Sequence, residues 1–299
     1  MRFLVLFLIF LQLIDCLRRL SSLENEQLKN NCGTKPPISS QKFSSGFMKN
    51  KRFIYGGVPI SGNQAPWSVY LDFSEGVCSG TIISSRHILT ATHCLQRNHT
   101  NRNPILQTTA WTCENNNRDL VYTQDHQLLV VYRSDLQVLS TNVVKVTMLN
   151  MCAVNNVDYD DIMIMELKYD IEFNDYAHPA CIPQSSNFDV LGNWFSISAF
   201  GHNHWIFDEE NNDPIVLRFG IMMIQSIHND GRVFGAVDPR QQNVLRPGDS
   251  GGSAFSSATD NRYYLIGVCS GSSADEQYYS TFISVGNHYN QICFHTGIC

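Results

Sequence analysis

From Phe53 onward, short apolar runs alternate with turn residues. The runs include "WSVYLDF", "GTIISSRHILTATHC", "DIMIMEL", "WFSISAF", "YYLIGVCS" and "STFISV". They are rich in β-branched and aromatic side chains, and Ser, Asn, Gly and Asp clusters separate them. Many short strands at this spacing predict an all-β sandwich or barrel. No long helical periodicity, internal repeat or low-complexity tract competes with that reading. The segment 17–52 is different: it is polar, carries "GTKPPISSQKFSSG" and reads as flexible. It ends in "KNKR" at 49–52, a basic cluster that a processing protease could cut. The first residues, "MRFLVLFLIFLQLIDC", place Arg2 before an apolar run from Phe3 to Ile14. That run is too short to span a bilayer. A positive start before a short apolar core has the form of a secretory signal peptide, with cleavage near Cys16. The expected product is secreted and extracellular, with no membrane anchor.

Composition narrows this picture only slightly. The 299 residues are 43% hydrophobic and 16% charged, enough for one large β domain or two smaller units. A net charge of -6 argues against nucleic acid as the main partner. Secretion makes the cysteines at 16, 32, 78, 94, 113, 152, 181, 269, 293 and 299 interpretable, because disulfides persist in oxidising compartments. Losing Cys16 leaves an odd number. One thiol is then free or bonded to another molecule, unless the signal is cut before Cys16. Asn98-His99-Thr100 is an N-glycosylation sequon, which fits a surface loop of a secreted chain.

Candidate chemistry centres on "RPGDSGGSAF" at 246–255, with Ser250 inside Gly-Asp-Ser-Gly-Gly. Serine is a weak nucleophile at neutral pH and needs an adjacent base. His93 follows the strand-like "ILTAT" and adjoins Cys94; a Cys78–Cys94 disulfide across a strand–turn–strand would pin it. Asp161 enters the very apolar "DIMIMEL", where a carboxylate that turns inward needs a partner such as an imidazole N–H. Asp158 and Asp160 are close enough to be rivals for that role. The G-x-S-x-G pattern also occurs in the nucleophile elbow of α/β-hydrolases, but that fold needs the order Ser, Asp, His and alternating strands and helices. Here the order is His, Asp, Ser.

With those residues in place, the chain from about residue 32 onward resembles the secreted chymotrypsin/trypsin-like serine proteases. The family's "TAAHC" stands here as "TATHC", its "DIALL" as "DIMIM" and its "GDSGGP" as "GDSGGS". The resemblance implies a signal peptide at 1–16, a propeptide or linker at 17–52 and a peptidase domain at 53–299. It implies two packed six-stranded antiparallel Greek-key β-barrels, roughly 54–170 and 182–285, with a C-terminal extension and the site in the cleft between them. It makes Ser250 the nucleophile, His93 the general base and Asp161 the residue that fixes the imidazole tautomer. The backbone N–H groups of Gly248 and Ser250 would form an oxyanion hole. "FIYGGVPI" resembles the start of the mature chain, so a freed amine at Ile54 or Phe53 would pair with Asp249 and the uncut chain would be a zymogen. The resemblance further implies Cys32–Cys181 as a tether for the N-terminal segment. Cys113–Cys152 would close a long insertion between His93 and Asp161, which lie 68 positions apart. Cys293–Cys299 would be the last bridge, leaving Cys269 unpaired.

The chain departs from the family at named positions. A cut after Arg52 frees Phe53, whereas counting back from "APWSVYL" aligns Ile54 with the family's first residue. Val244 stands where trypsins carry the Asp that binds Lys or Arg, so cleavage after Lys or Arg is not expected. Arg246 replaces a Cys beside that pocket, Gly271 replaces a Trp, and Ser253 replaces a Pro. Ser270, Ser272 and Ser280 would complete a specificity pocket suited to a small or apolar residue. His202 and His204 lie two apart but lack the further ligands of a zinc site and read as a surface loop. His288 and His295 have no partner that can be named from the sequence. No cofactor and no metal is expected; the expected partners are a protein or peptide substrate and protease inhibitors. Two functions fit this pattern: a serine endopeptidase working through an acyl-enzyme, and a catalytically inactive protease-like binding protein.

Overall fold

The computed structural model describes residues 19–34, 57–73, 76–95, 111–116, 118–126, 129–140, 142–152, 160–201, 215–272 and 279–299. The signal peptide, the 49–52 cluster, Phe53, Ile54, Asn98, Asp158, His202 and His204 lie outside the described residues.

Sixteen strands are present among the described residues. They are β1 (Val58–Pro59), β2 (Ser68–Phe73), β3 (Gly76–Ile82), β4 (His87–Thr90), β5 (Trp111–Glu114), β6 (Asp119–His126), β7 (Leu129–Tyr132), β8 (Val138–Ser140), β9 (Val143–Met148) and β10 (Met163–Leu167), then β11 (Trp194–Ala199), β12 (Arg218–His228), β13 (Val233–Val237), β14 (Ser253–Ser257), β15 (Tyr263–Ser272) and β16 (Tyr279–Ser284). Strands β11 to β16 pair antiparallel in the order β12-β11-β14-β15-β16-β13, and β13 pairs back to β12, which closes a six-stranded barrel; β1 adds to the outer edge of β12. Closure removes the unpaired edges that would otherwise template aggregation. Its interior follows the period of two expected of strands. Phe195 and Ile197 on β11, Met222 and Ile224 on β12, and Phe234 on β13 all point inward. Phe195 meets Phe234 and Phe282 edge-on at 5.6 and 5.2 Å.

The N-terminal half is one antiparallel sheet of nine strands, ordered β5-β6-β9-β10-β4-β3-β2-β7-β8. Six strands are expected there. The difference arises because the chain between His93 and Asp161 supplies β5 to β9. The two halves meet through paired hydroxyls, Ser68 to Ser198 at 2.8 Å and Thr81 to Ser253 at 2.7 Å, both buried. Two-barrel trypsin-like proteases have this overall plan, mostly β with two packed antiparallel halves.

Among the described residues helix is confined to short pieces. The first, α1 (Ser22–Asn31), corrects the expectation of flexibility for its part of 17–52. Ser21 and Glu24 form a capping box: the Glu24 N–H donates to Ser21 Oγ, and the Ser21 N–H donates to Glu24 Oε2 at 2.7 Å. Leu20, Leu28 and Cys32 bury themselves in the main core. Arg86 donates to Glu24 at 2.6 Å, and the Leu20 N–H donates to the carbonyl of Thr296 at 2.8 Å. The second helix, α2 (Tyr289–Thr296), ends at Gly297, whose φ of 78° only glycine adopts freely and whose absent Cβ leaves room for the Leu20 backbone. Among the described residues four disulfides staple the fold: Cys32–Cys181, Cys78–Cys94, Cys113–Cys152 and Cys293–Cys299. Cys269 is free and buried. Bridges of this number fit an oxidising compartment. Among the described residues no helix is long and apolar enough to cross a membrane.

Candidate active site

The site lies where the two halves touch. β4 runs out through Ala91 into a 3-10 turn, Thr92–Cys94, and the Cys78–Cys94 bridge ties that turn to β3. His93 is thereby held at the edge of the N-terminal sheet, about one-third exposed. Asp161 sits just before β10, the neighbour of β4, and is placed facing the turn. Its Oδ2 accepts the His93 Nδ1–H at 2.7 Å, and its Oδ1 accepts the His93 backbone N–H at 2.9 Å. Ser270 Oγ donates to the same Oδ2 at 2.6 Å. Burial alone would raise the Asp161 pKa, but the hydrogen bonds and charge attraction from His93, with the bond from Ser270, outweigh it and hold the carboxyl below its ordinary value. Asp161 is thus ionised, and because a carboxylate only accepts, Nδ1 of His93 carries its hydrogen. Nε2 is then the free acceptor, and it lies 2.8 Å from Ser250 Oγ.

Ser250 comes from the other half, on the turn 248–252 between Arg246 and β14. Glycine is required there on both sides. Gly248 has φ 93° and Gly251 φ 79°, and a Cβ at Gly251 would strike Thr90 Oγ1 and the Ser79 carbonyl. Ser79 on β3 holds the turn across the interface. Its N–H donates to the Ser250 carbonyl at 2.8 Å, and its hydroxyl donates to the Gly248 carbonyl at 2.9 Å. The sequence reading did not single out Ser79; nothing in its neighbourhood marks a polar residue that will meet a turn 169 positions away. The N–H groups of Gly248 and Ser250 donate to no protein acceptor among the described residues.

Asp249 is fully buried. Its Oδ1 accepts the Gly201 N–H at 2.9 Å and its Oδ2 the Arg246 N–H at 2.8 Å. Burial dominates, so its pKa is pushed up to about 7 despite those two bonds and the attraction of Arg218 and Arg246.

The residues assigned to the specificity pocket divide. Val244 is buried; the N–H of its neighbour Leu245 donates to Ser280 Oγ at 3.0 Å, and Ser280 is the cross-strand partner of Ser272. Ser270 uses its hydroxyl on Asp161 instead. His288 and His295, unpartnered in the sequence reading, do have partners. His288 Nε2 lies 3.0 Å from Asp160 Oδ2, and His295 Nε2 lies 2.8 Å from Asp119 Oδ2. Asp160, a rival for the role of Asp161, faces away from His93 into this second cluster. Among the described residues no group of His, Cys, Asp and Glu could hold a metal ion.

The closed barrel, its companion sheet and site residues drawn from both halves fit the trypsin-like protease class. The chain belongs to the nematode trypsin-6-like family, whose family model matches residues 2–299.

Proposed function

We propose that the protein is a secreted serine endopeptidase. The observation that supports this best is the continuous relay of 2.7 Å from Asp161 to His93 and 2.8 Å from His93 to Ser250, spanning both halves. In this reading His93 Nε2 takes the Ser250 proton as Oγ attacks the scissile carbonyl. The N–H groups of Gly248 and Ser250 stabilise the resulting oxyanion, each such donor being worth roughly 10²–10³ in turnover. His93 then gives its proton to the leaving amine, the acyl–Ser250 ester remains, and a water activated by His93 releases the acid. Asp161 stabilises the imidazolium in both half-reactions. Val244 offers no counter-charge to Lys or Arg, so a small or apolar residue precedes the cut bond.

The chain is made as a zymogen. Cleavage at Lys51-Arg52 frees an amine at Phe53, or at Ile54 after trimming, which pairs with Asp249. Burial keeps the pKa of that carboxyl raised despite Arg218 and Arg246, which supports a place for a further cation beside it. Cys32–Cys181 keeps α1 attached after the cut.

The test is labelling with a fluorophosphonate, before and after cleavage at 51–52, with the adduct mapped by mass spectrometry. Labelling of Ser250 only after the cut, abolished in His93→Ala, is the expected result. Folded, cleaved protein that takes up no probe would overturn the proposal and leave the protease-like binding protein in its place.

A further inference from the structure

A second set of polar contacts crosses between the two halves, and it starts one residue from Asp161. Asp160 is 3% exposed. Its carboxylate accepts Arg232 Nη1 at 2.9 and 3.0 Å, His288 Nε2 at 3.0 Å, and Nδ2 of Asn150. Asp160 and Asn150 belong to the N-terminal sheet. Arg232 precedes β13, and His288 ends the turn after β16, so both side chains come from the barrel. His288 Nδ1 lies 2.6 Å from the carbonyl of Ser284, which can only accept. Both ring nitrogens of His288 are thus occupied by oxygen partners, one from its own barrel and one from the N-terminal sheet.

Within a low-dielectric interior, an acid with this many donors has one position, because leaving any partner unpaired is costly. Hydrogen bonds from His288 and Asn150 and attraction to His288 and Arg232 hold its carboxyl below the ordinary value against the opposing, larger single effect of burial. The backbone that carries Asp160 is also the backbone that carries Asp161. Residue 160 is bolted to the barrel, residue 161 is bonded to His93, and Ser250 rides on the same barrel as Arg232 and His288.

We infer that Asp160, gripped by Arg232 and His288, is the positioning residue that sets the His93–Ser250 separation, a role that rests on the proposed hydrolysis only for its effect on rate. A neighbouring network supplies an internal control. Asp119 accepts from His295, Gln291, Asn115 and the Asn150 N–H. It docks the same helix α2 and meets the Asp160 set only at Asn150, which a change at His295 leaves in place.

The experiment compares Arg232→Gln, His288→Gln and Arg232→Lys with His295→Gln in processed protein. Melting temperature, the second-order rate of fluorophosphonate labelling and the low-field proton resonance of His93 Nδ1–H are measured for each. Arg232 is 30% exposed and Asp160 keeps Asn150 and His288 when Arg232 is replaced by Gln, and the melting temperature checks that each variant is folded. The expected result is a labelling rate down about 10²-fold in Arg232→Gln and His288→Gln, the loss typical of a displacement near 1 Å. A shifted or missing His93 resonance accompanies it, and Arg232→Lys is largely restored. His295→Gln lowers the melting temperature but leaves rate and resonance unchanged. Unchanged rate and resonance in the first two variants, or an equal loss in His295→Gln, overturns the inference. If the wild-type protein takes up no probe, the proposed activity fails by itself, and the His93 resonance still decides whether Asp160 positions the pair.

Discussion

Asp249 offers the sharpest physical test, because its carboxyl is wholly buried and its partners are two backbone N–H groups. Its folded pKa of about 7 lies above the ordinary 3.8. Between those values the folded chain binds a proton that the unfolded chain has lost, so stability falls as pH rises through the window and levels off above the folded value. From pH 5 to pH 8 the change traverses roughly two units below the folded pKa, which is about 3 kcal/mol. Asp249→Asn keeps the shape of the neutral acid and cannot ionise. The assay is urea unfolding of the uncut chain at pH 5, 6, 7 and 8 for wild type and variant, and the quantity of interest is the difference between them. That subtraction removes Asp189, whose buried carboxyl is also raised, to about 6, and the carboxylates whose values are lowered. Relative to wild type, the variant should gain about 3 kcal/mol across the range, a midpoint change of about 1 M urea. A difference that does not vary with pH would refute the reasoning, since it would mean that Asp249 keeps one protonation state throughout. In the cut chain, an ammonium against Asp249 should abolish most of the trend.

Other outcomes follow from the same contacts. Asp161→Asn should slow peptide hydrolysis about 10⁴-fold with little change in melting temperature, because the amide favours the imidazole tautomer with its hydrogen on Nε2; steady-state kinetics will check this. Replacing Cys32 and Cys181 by serine opens a loop with a sequence separation of 149. The loop-entropy cost is about 5 kcal/mol, so calorimetry of the uncut chain should register a melting point lower by about 10–20 °C. Gly251→Ala forces a left-handed φ on an L residue and drives a methyl into Thr90 and Ser79. A loss of about 3 kcal/mol is expected in denaturant titration, with Ser250 labelling lost as well.

The strands were legible because their apolar residues alternate or cluster between clear turn signals, as in "WFSISAF" and "YYLIGVCS". His93, Asp161 and Ser250 were legible because short motifs surround each of them. Helix α1 was not read, although Ser21-x-x-Glu24 is a capping-box pattern, because the Pro, Gly and Ser that follow it dominated the segment's composition. The strands β5 to β9, which carry the sheet from the expected six strands to nine, were recognised only as a long insertion, since strand pairing is a property of distant partners. The roles of Asp160, His288 and Arg232 are invisible in one dimension: each is an ordinary polar residue until the fold brings together positions 72 and 128 apart. Ser270 was assigned to the pocket from its segment, yet hydroxyl orientation is decided by which carboxylate lies within reach.

The docking of residues 286–299 has a consequence for biosynthesis. Leu20, Asn25, Asp119 and Asp160 all bond to that stretch, which the ribosome adds after every strand is complete. A nascent chain stalled before residue 286 therefore holds its nine-stranded sheet with several buried acids and amides unanswered. Acquisition of the native state is consequently tied to synthesis of residues 286–299, and a translation product that stops short of them leaves its polar interior exposed.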